Sequence, residues 1–95
     1  MFDTKILGNG DIAFCGRLDA SQADKADQAL QEIISSQTLN FKELDYISSA
    51  GLGTLLAHQK RLKNTGHALR LINLNKHVKD VFALTGFDQI FEIQK

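Results

Sequence analysis

The stretch from Leu44 to Leu56, LDYISSAGLGTLL, decides how this chain is read. Leu44 to Ile47 closes an apolar run. Leu52, Leu55 and Leu56 then recur at helical spacing beyond two adjacent serines, so the segment reads as a strand end turning into a helix. With Ser48 as the N-cap, Ile47 precedes the cap and Leu52 is the fourth helical residue, the two positions of a hydrophobic staple. With Ser49 as the N-cap the fourth position is Gly53 and the staple is lost. The first assignment is preferred, and it leaves the Ser49 hydroxyl free at the first helical position.

A free hydroxyl at a helix start is well placed to carry a phosphate, because unpaired amides and the positive end of the helix dipole both favour an anion there. Phosphorylation adds about −1.5 to −2 charges at neutral pH, which a partner packed on this corner would meet. Gly51 and Gly53 point the same way: glycine inside a helix costs about 1 kcal/mol relative to alanine, so two in the first turns imply close approach by a partner or by a neighbouring strand. The plain alternative is that both serines only cap and both glycines only pack. A hydrolase nucleophile elbow needs Gly-x-Ser-x-Gly, and Ile47 stands where its first glycine belongs.

Working outward, the helix runs from Ser49 to Asn64, with Leu52, Leu55, Leu56 and Leu62 on its buried side. Lys60, Arg61 and Lys63 form a solvated basic last turn, and Gly66 follows as a natural terminator. Upstream, Phe2 to Leu18 reads as a β-hairpin around the turn Gly8-Asn9-Gly10-Asp11, which no Gly-Lys-Ser/Thr follows and which is therefore no phosphate loop. Asp19 or Ser21 caps a first helix, with Ala23, Ala26, Leu30, Ile33 and Ile34 on one face. Thr38 to Phe41 is a short strand candidate, and the chain then runs through Leu44 to Ile47. Downstream, Ala68 to Leu74 suits an inner strand. Asn75 caps a third helix buried through Val78, Val81 and Phe82 and stopped by Gly86, and Phe87 to Ile93 gives a last strand. The expected order is β-β-α-β-α-β-α-β. It is an α/β fold with a mixed sheet, parallel pairs after the hairpin, and helices packed against it.

Ninety-five residues, 43% of them hydrophobic, make one domain over residues 1–95. Eleven basic residues balance eleven acidic ones, which argues against a nucleic-acid partner. No apolar run approaches the roughly 18 residues of a membrane span, so no direct membrane binding is expected, and no signal peptide opens the chain. The single cysteine, Cys15, reads as a small buried hydrophobe and fits a reducing cytoplasm. His58, His67 and His77 lie far apart without metal-ligand companions and read as solvated surface residues. His77, in the first turn of a helix, has the position of a phosphocarrier histidine, but Asn75-Lys76-His77-Val78 lacks that pattern.

The run YISSAGLGTLL, with Leu39 to Leu44 before it, resembles the signature of STAS-domain anti-sigma factor antagonists, in which a strand ends in Asp-Ser-Ser/Thr-Gly-Leu and a helix follows. The resemblance covers nearly the whole chain. Gly16-Arg17-Leu18-Asp19 is similar to the Gly-x-Leu-Asp before the family's first helix, Leu69 to Phe82 to its strand and short helix, and Thr85-Gly86-Phe87 to its closing segment. It implies a STAS-like domain that is not an enzyme and needs no cofactor or metal. It implies partner switching: the protein binds an anti-sigma factor that is also a serine kinase, the kinase phosphorylates Ser49, the complex parts, and a metal-dependent serine phosphatase restores binding. Carried over residue by residue, the partner surface comprises Asp19, Ala20, Ser48, Ser49, Gly51 and Gly53, although Asp19 serves equally well as a helix cap. Ala50 replaces the motif's second Ser/Thr, and Ser48 replaces its Asp, near-equivalent as a cap but not in charge. A non-switching accessory subunit, as beside the ATPase of a lipid-transport ABC system, is the alternative that the missing Asp favours.

Overall fold

The computed structural model describes residues 1–94. Alternating side chains build the opening hairpin, β1 (Phe2–Ile6) against β2 (Ile12–Leu18), with Phe2 opposite Gly16 and Ile6 opposite Ile12. Asn9 shapes its turn by accepting the Asp11 amide at 3.0 Å. A 3-10 turn at Ala20–Gln22 leads into α1 (Ala23–Gln31). Then come β3 (Gln37–Asn40), β4 (Leu44–Ile47), α2 (Ser49–Lys63), β5 (Leu69–Ile72), α3 (Lys76–Thr85), a second 3-10 turn at Phe87–Gln89, and β6 (Glu92–Ile93).

The sheet runs β1-β2-β3-β5-β6, antiparallel only between β1 and β2 and parallel elsewhere, the mixed sheet expected from the alternation of helices and strands. One strand was not anticipated as separate. The chain from Thr38 to Ile47 makes two strands in succession along the same edge of β2, β3 beside Ile12 and Ala13 and β4 beside Gly16 to Leu18. A turn between them, closed by the Leu44 amide on the Phe41 carbonyl, breaks the run. The last expected strand shrinks for a similar reason. Phe87, Ile90 and Phe91 stand three and four apart, and the amides of Ile90 and Phe91 both reach the Phe87 carbonyl, so the segment coils before its two strand residues.

A single core joins all the elements. Phe14 takes Phe2 edge-on at 5.2 Å and stacks on Phe41 at 5.5 Å, while Phe82 of α3 meets Phe91 edge-on at 5.6 Å. Ala26 and Leu30 of α1, Leu52, Leu55 and Leu62 of α2, and Val78 and Phe82 of α3 are buried, while Leu56 and Val81 are half-buried. Ile34 departs from expectation: α1 ends at Gln31, so Ile34 leaves the helical face and is 80% exposed. Cys15 is half-buried rather than buried, and desolvation pushes its thiol pKa up.

Two polar side chains of α2 are buried and tie the layers together. Gln59 accepts the Leu69 amide at 2.7 Å and donates to the Ile90 carbonyl at 3.0 Å, linking α2 to β5 and the C-terminal segment. His58, expected on the surface, is 6% exposed because its position on α2 faces α1. Its Nε2 lies 2.7 Å from Asp27 Oδ1, and Arg61 Nε donates to its Nδ1 at 3.2 Å. An acceptor at Nδ1 places the ring proton on Nε2, which donates to Asp27. Arg61, expected to be a solvated helix end, also donates to the carbonyls of Leu30 and Ile33, closing the end of α1. The hydrogen bond from His58, then that from Gln31, holds the Asp27 carboxyl below its ordinary pKa. A carboxyl depressed in the folded state adds stability above its unfolded pKa of about 3.9 and loses it as pH falls through the folded value. Asp27→Asn is therefore expected to be less stable than the parent at pH 7, the gap closing below about pH 4, as denaturant unfolding at pH 7, 5 and 3 would read. A gap unchanged at pH 3 would contradict the ionised contact.

Candidate functional site

The parallel pairing of β2 and β4 builds the site. Leu18 stands beside Ile47, so the residues that follow, Asp19 on one strand and Ser48 on the other, emerge together at the same end of the sheet. The Ser48 amide donates to the Leu18 carbonyl at 2.9 Å, which keeps the two exits side by side.

Ser48 then starts α2. Its backbone is extended, its Oγ accepts the Gly51 amide at 3.2 Å, and its carbonyl accepts the Leu52 amide at 2.9 Å. Ile47 and Leu52 are each 2% exposed, the two halves of the staple. Ser49 is the first residue of the helix, exposed, and its hydroxyl makes no hydrogen bond to another of the described residues. The first turn of α2 contains no acidic residue, so the positive end of the helix is not neutralised from within.

Asp19 caps the 3-10 turn. One carboxylate oxygen accepts the Ser21 amide at 3.1 Å and the Ser21 hydroxyl at 2.6 Å. The hydroxyl bond is the main reason that its pKa lies below the ordinary range. Asp19 is half-buried, Ala20 is exposed, and the Ala20–Gln22 turn packs against α2. The structure thus gathers Asp19, Ala20, Ser48 and Ser49 at one corner.

The two glycines part company. Gly51 is buried, and a Cβ there would lie 2.7 Å from Leu18 Cγ and 3.1 Å from Ile47 Cγ1. The close approach inferred from this glycine is made by the two strands beneath it, so Gly51 is buried against Leu18 and Ile47 rather than exposed at the corner. Gly53 is exposed and a Cβ there would meet nothing within 4 Å.

Three residues that sequence reasoning did not place at this corner adjoin it. Arg17 and Tyr46 are neighbours across β2 and β4, two residues before Asp19 and Ser48 respectively. The Arg17 guanidinium lies 4.3 Å from the Tyr46 ring centroid, and the His77 ring stacks on Tyr46 at 5.6 Å and 14°. His77 is brought there because Asn75, which caps α3 by accepting the Val78 amide at 2.8 Å, also donates to the Leu44 carbonyl at 3.0 Å. The period-two positions of Arg17 and Tyr46 were the available signal. His67 sits elsewhere, 3.4 Å from the Ser36 hydroxyl.

The geometry separates neighbouring residues by thermal stability. Ser48→Ala is expected to lose about 1 kcal/mol, a fall of roughly 4–8 °C in Tm for a domain this size, while Ser49→Ala stays within about 1 °C. Gly53→Ala gains up to about 1 kcal/mol of helix propensity. Gly51→Ala loses stability, because overpacking costs typically about 1–3 kcal/mol. Thermal melts of the four variants decide both pairs, and a stabilised Gly51→Ala would contradict the packing.

A model of the STAS domain matches residues 5–95. A Bordetella bronchiseptica protein, BtrV, described as a candidate anti-sigma factor antagonist, is 36% identical over 77 residues, covering 81% of this chain and 63% of BtrV, under two thirds of its length. The anti-sigma-B factor antagonist of Listeria monocytogenes is 30% identical over 88 residues, covering 88% of this chain and 77% of the relative. Among solved structures, a candidate anti-sigma factor antagonist of Thermotoga maritima superposes with a TM-score of 0.80 at 22% identity, covering 100% of this chain and 86% of that one. The antagonist SpoIIAA in its unphosphorylated form gives 0.73 at 20% identity, covering 100% of this chain and 89% of that one. At that identity the two structures speak for the fold alone. The mixed sheet with its three helices, the strand-to-helix corner at Ser48–Ser49 and the family match over residues 5–95 lead to one conclusion: the chain belongs to the STAS domain family.

Proposed function

We propose that the protein is a cytoplasmic anti-sigma factor antagonist that works by partner switching. With Ser49 unphosphorylated it binds an anti-sigma factor that is also a serine kinase. With Ser49 phosphorylated it lets go, and a metal-dependent serine phosphatase resets it. The protein itself acts as a binding module and not as an enzyme. The observation that carries this reading is the division between the two serines: Ser48 spends its hydroxyl on the cap, and Ser49 presents a free one to solvent. The names of the Bordetella and Listeria relatives support the same role.

The mechanism is electrostatic. A phosphate on Ser49 sits at the positive end of α2, where the fold tolerates it. A partner lying flat on Ser49, Ala20, Asp19, Ser48 and Gly53 must accommodate a hydrated dianion, and burying it without a matching cation is unfavourable. The switch thus acts on the surface and leaves the domain folded.

Affinity capture from the source cells, with Ser49→Ala and Ser49→Asp as paired baits, tests the reading. An ATP-binding serine kinase retained by Ser49→Ala and lost with Ser49→Asp is the expected result. In calorimetry with that kinase purified, Ser49→Asp is expected to bind at least about tenfold more weakly, with an unchanged melting temperature. Equal affinity of the two forms would refute the switch. Retention of one scaffold, such as a transporter ATPase, by both baits would instead identify a non-switching accessory subunit.

A further inference from the structure

We infer that Arg17, whose guanidinium lies over the Tyr46 ring on which His77 also stacks, is a second contact point for the same partner and receives a carboxylate side chain from the anti-sigma factor. The inference rests on the partner-binding role proposed above and extends its surface from the Ser49 corner onto the sheet.

The use made of the three arginines carries it. Arg61 spends its guanidinium on His58 and on the end of α1, and Arg70 pairs with Glu92 at 3.1 Å and Gln94 at 3.0 Å. Arg17 is exposed, and among the described residues its guanidinium has neither a carboxylate within 4.0 Å nor a hydrogen-bond acceptor. It is nevertheless held in place, because the Tyr46 ring lies under it at 4.3 Å. His77 stacks on the same ring from α3, and Asn75 holds the start of that helix against β4. A planar cation fixed on an aromatic ring with its N–H edge unspent is organised in advance for a bidentate carboxylate. It has already given up much of the freedom that an exposed arginine loses on binding. Arg and Tyr are also the residue types on which interface affinity concentrates.

Its place in the fold identifies the occupant. Tyr46 precedes Ser48 by two residues, about 7 Å along an extended strand, and Arg17 precedes Asp19 by the same interval. A protein seated on the Ser49 corner therefore reaches the stack without a gap. A polyanion such as a nucleic acid is disfavoured by the neighbouring Asp19 and by a chain with no net basic charge, whereas one carboxylate needs only the guanidinium.

The test uses the kinase retained by the Ser49→Ala bait, purified, and calorimetric affinities for the parent, Arg17→Ala, Arg17→Lys, Tyr46→Leu, Arg70→Ala and Ser49→Asp. Arg17→Ala is expected to bind at least about tenfold more weakly. Arg17→Lys, which keeps the charge but not the planar fork, is expected to lose several-fold, as is Tyr46→Leu. Arg70→Ala, already ion-paired within its own sheet, is expected to stay within about twofold. Melting temperatures show that each variant is folded, and Arg17→Lys carries the test if Tyr46→Leu is not. Parent-like affinity of Arg17→Ala, with Ser49→Asp still weakened, would overturn the contact while leaving the switch standing. Equal affinity of Ser49→Asp and the parent would overturn the switch and this inference with it. If Arg17→Ala instead restored binding of the phosphorylated protein, Arg17 would serve the Ser49 phosphate and the inference would fail.

Discussion

At Gly16 the backbone takes φ +91° and passes so close to the first residue that a Cβ would collide with the Met1 carbonyl oxygen. Only glycine fits there. The Arg17 amide then bonds to that same carbonyl at 2.8 Å, and the pairing of β2 with β4 changes register between Gly16 and Arg17. This irregularity falls within the β4 pairing, with Leu44 beside Gly16 before it and Tyr46 and Ile47 beside Arg17 and Leu18 after it. It also aims the end of β4 at Leu18, so that Ser48 leaves the sheet beside Asp19. The position of the Ser48–Ser49 corner thus depends on the backbone at Gly16, far from the serines in sequence.

At that corner adjacent residues are loaded very differently. The Ser48 amide donates to the Leu18 carbonyl, its hydroxyl oxygen accepts the Gly51 amide and its carbonyl accepts the Leu52 amide, so any change there is felt by both the sheet and the helix. Gly51 lets α2 settle onto Leu18 and Ile47, drawing the helix start down to the strands. Ser49, between them, supports nothing. A modification that adds a dianion is tolerable only at a residue of this kind, because a group bearing a buried hydrogen bond cannot gain charge without cost to the fold. Under the proposed switch, a change at Ser49 therefore alters the surface and not the fold.

Much of this was readable in the chain. The staple of Ile47 and Leu52 fixed which serine caps, since local spacing alone decides which residues meet across a first turn. The hairpin, the helices and the parallel sheet followed from changes of period between two and 3.6. What escaped was whatever depends on a distant partner. Helical periodicity cannot distinguish a surface histidine from His58, whose burial is set by where α1 crosses α2 and by Asp27 at the crossing. A basic last turn looks solvated until the end of α1, at Leu30 and Ile33, is found within reach of Arg61. The break between β3 and β4 is not legible in Phe41-Lys42-Glu43, because it is made by the turn that bonds the Leu44 amide to the Phe41 carbonyl and by the separate partners each strand finds on β2. Gly51 and Gly53 look alike in sequence, and only the strands beneath one of them tell them apart.

The substitution of Ser48 for the motif's Asp can be weighed in the same terms. As a cap the two are nearly equivalent, each supplying one oxygen to a first-turn amide. The difference lies in the field. A carboxylate at the cap would partly neutralise the positive end of α2 and repel a phosphate on the next residue. Here the cap is neutral and the first turn has no acid, which leaves Asp19, kept ionised by Ser21, as the nearby negative charge. A phosphate on Ser49 therefore meets the dipole of α2 with less opposition than beside an aspartate. The exchange removes a charge that could help orient the serine for a kinase, yet it makes the phosphorylated corner more favourable once formed. For the proposed switch the departure thus bears on both making and keeping the modification, while Ser49 stays at the exposed first position of α2.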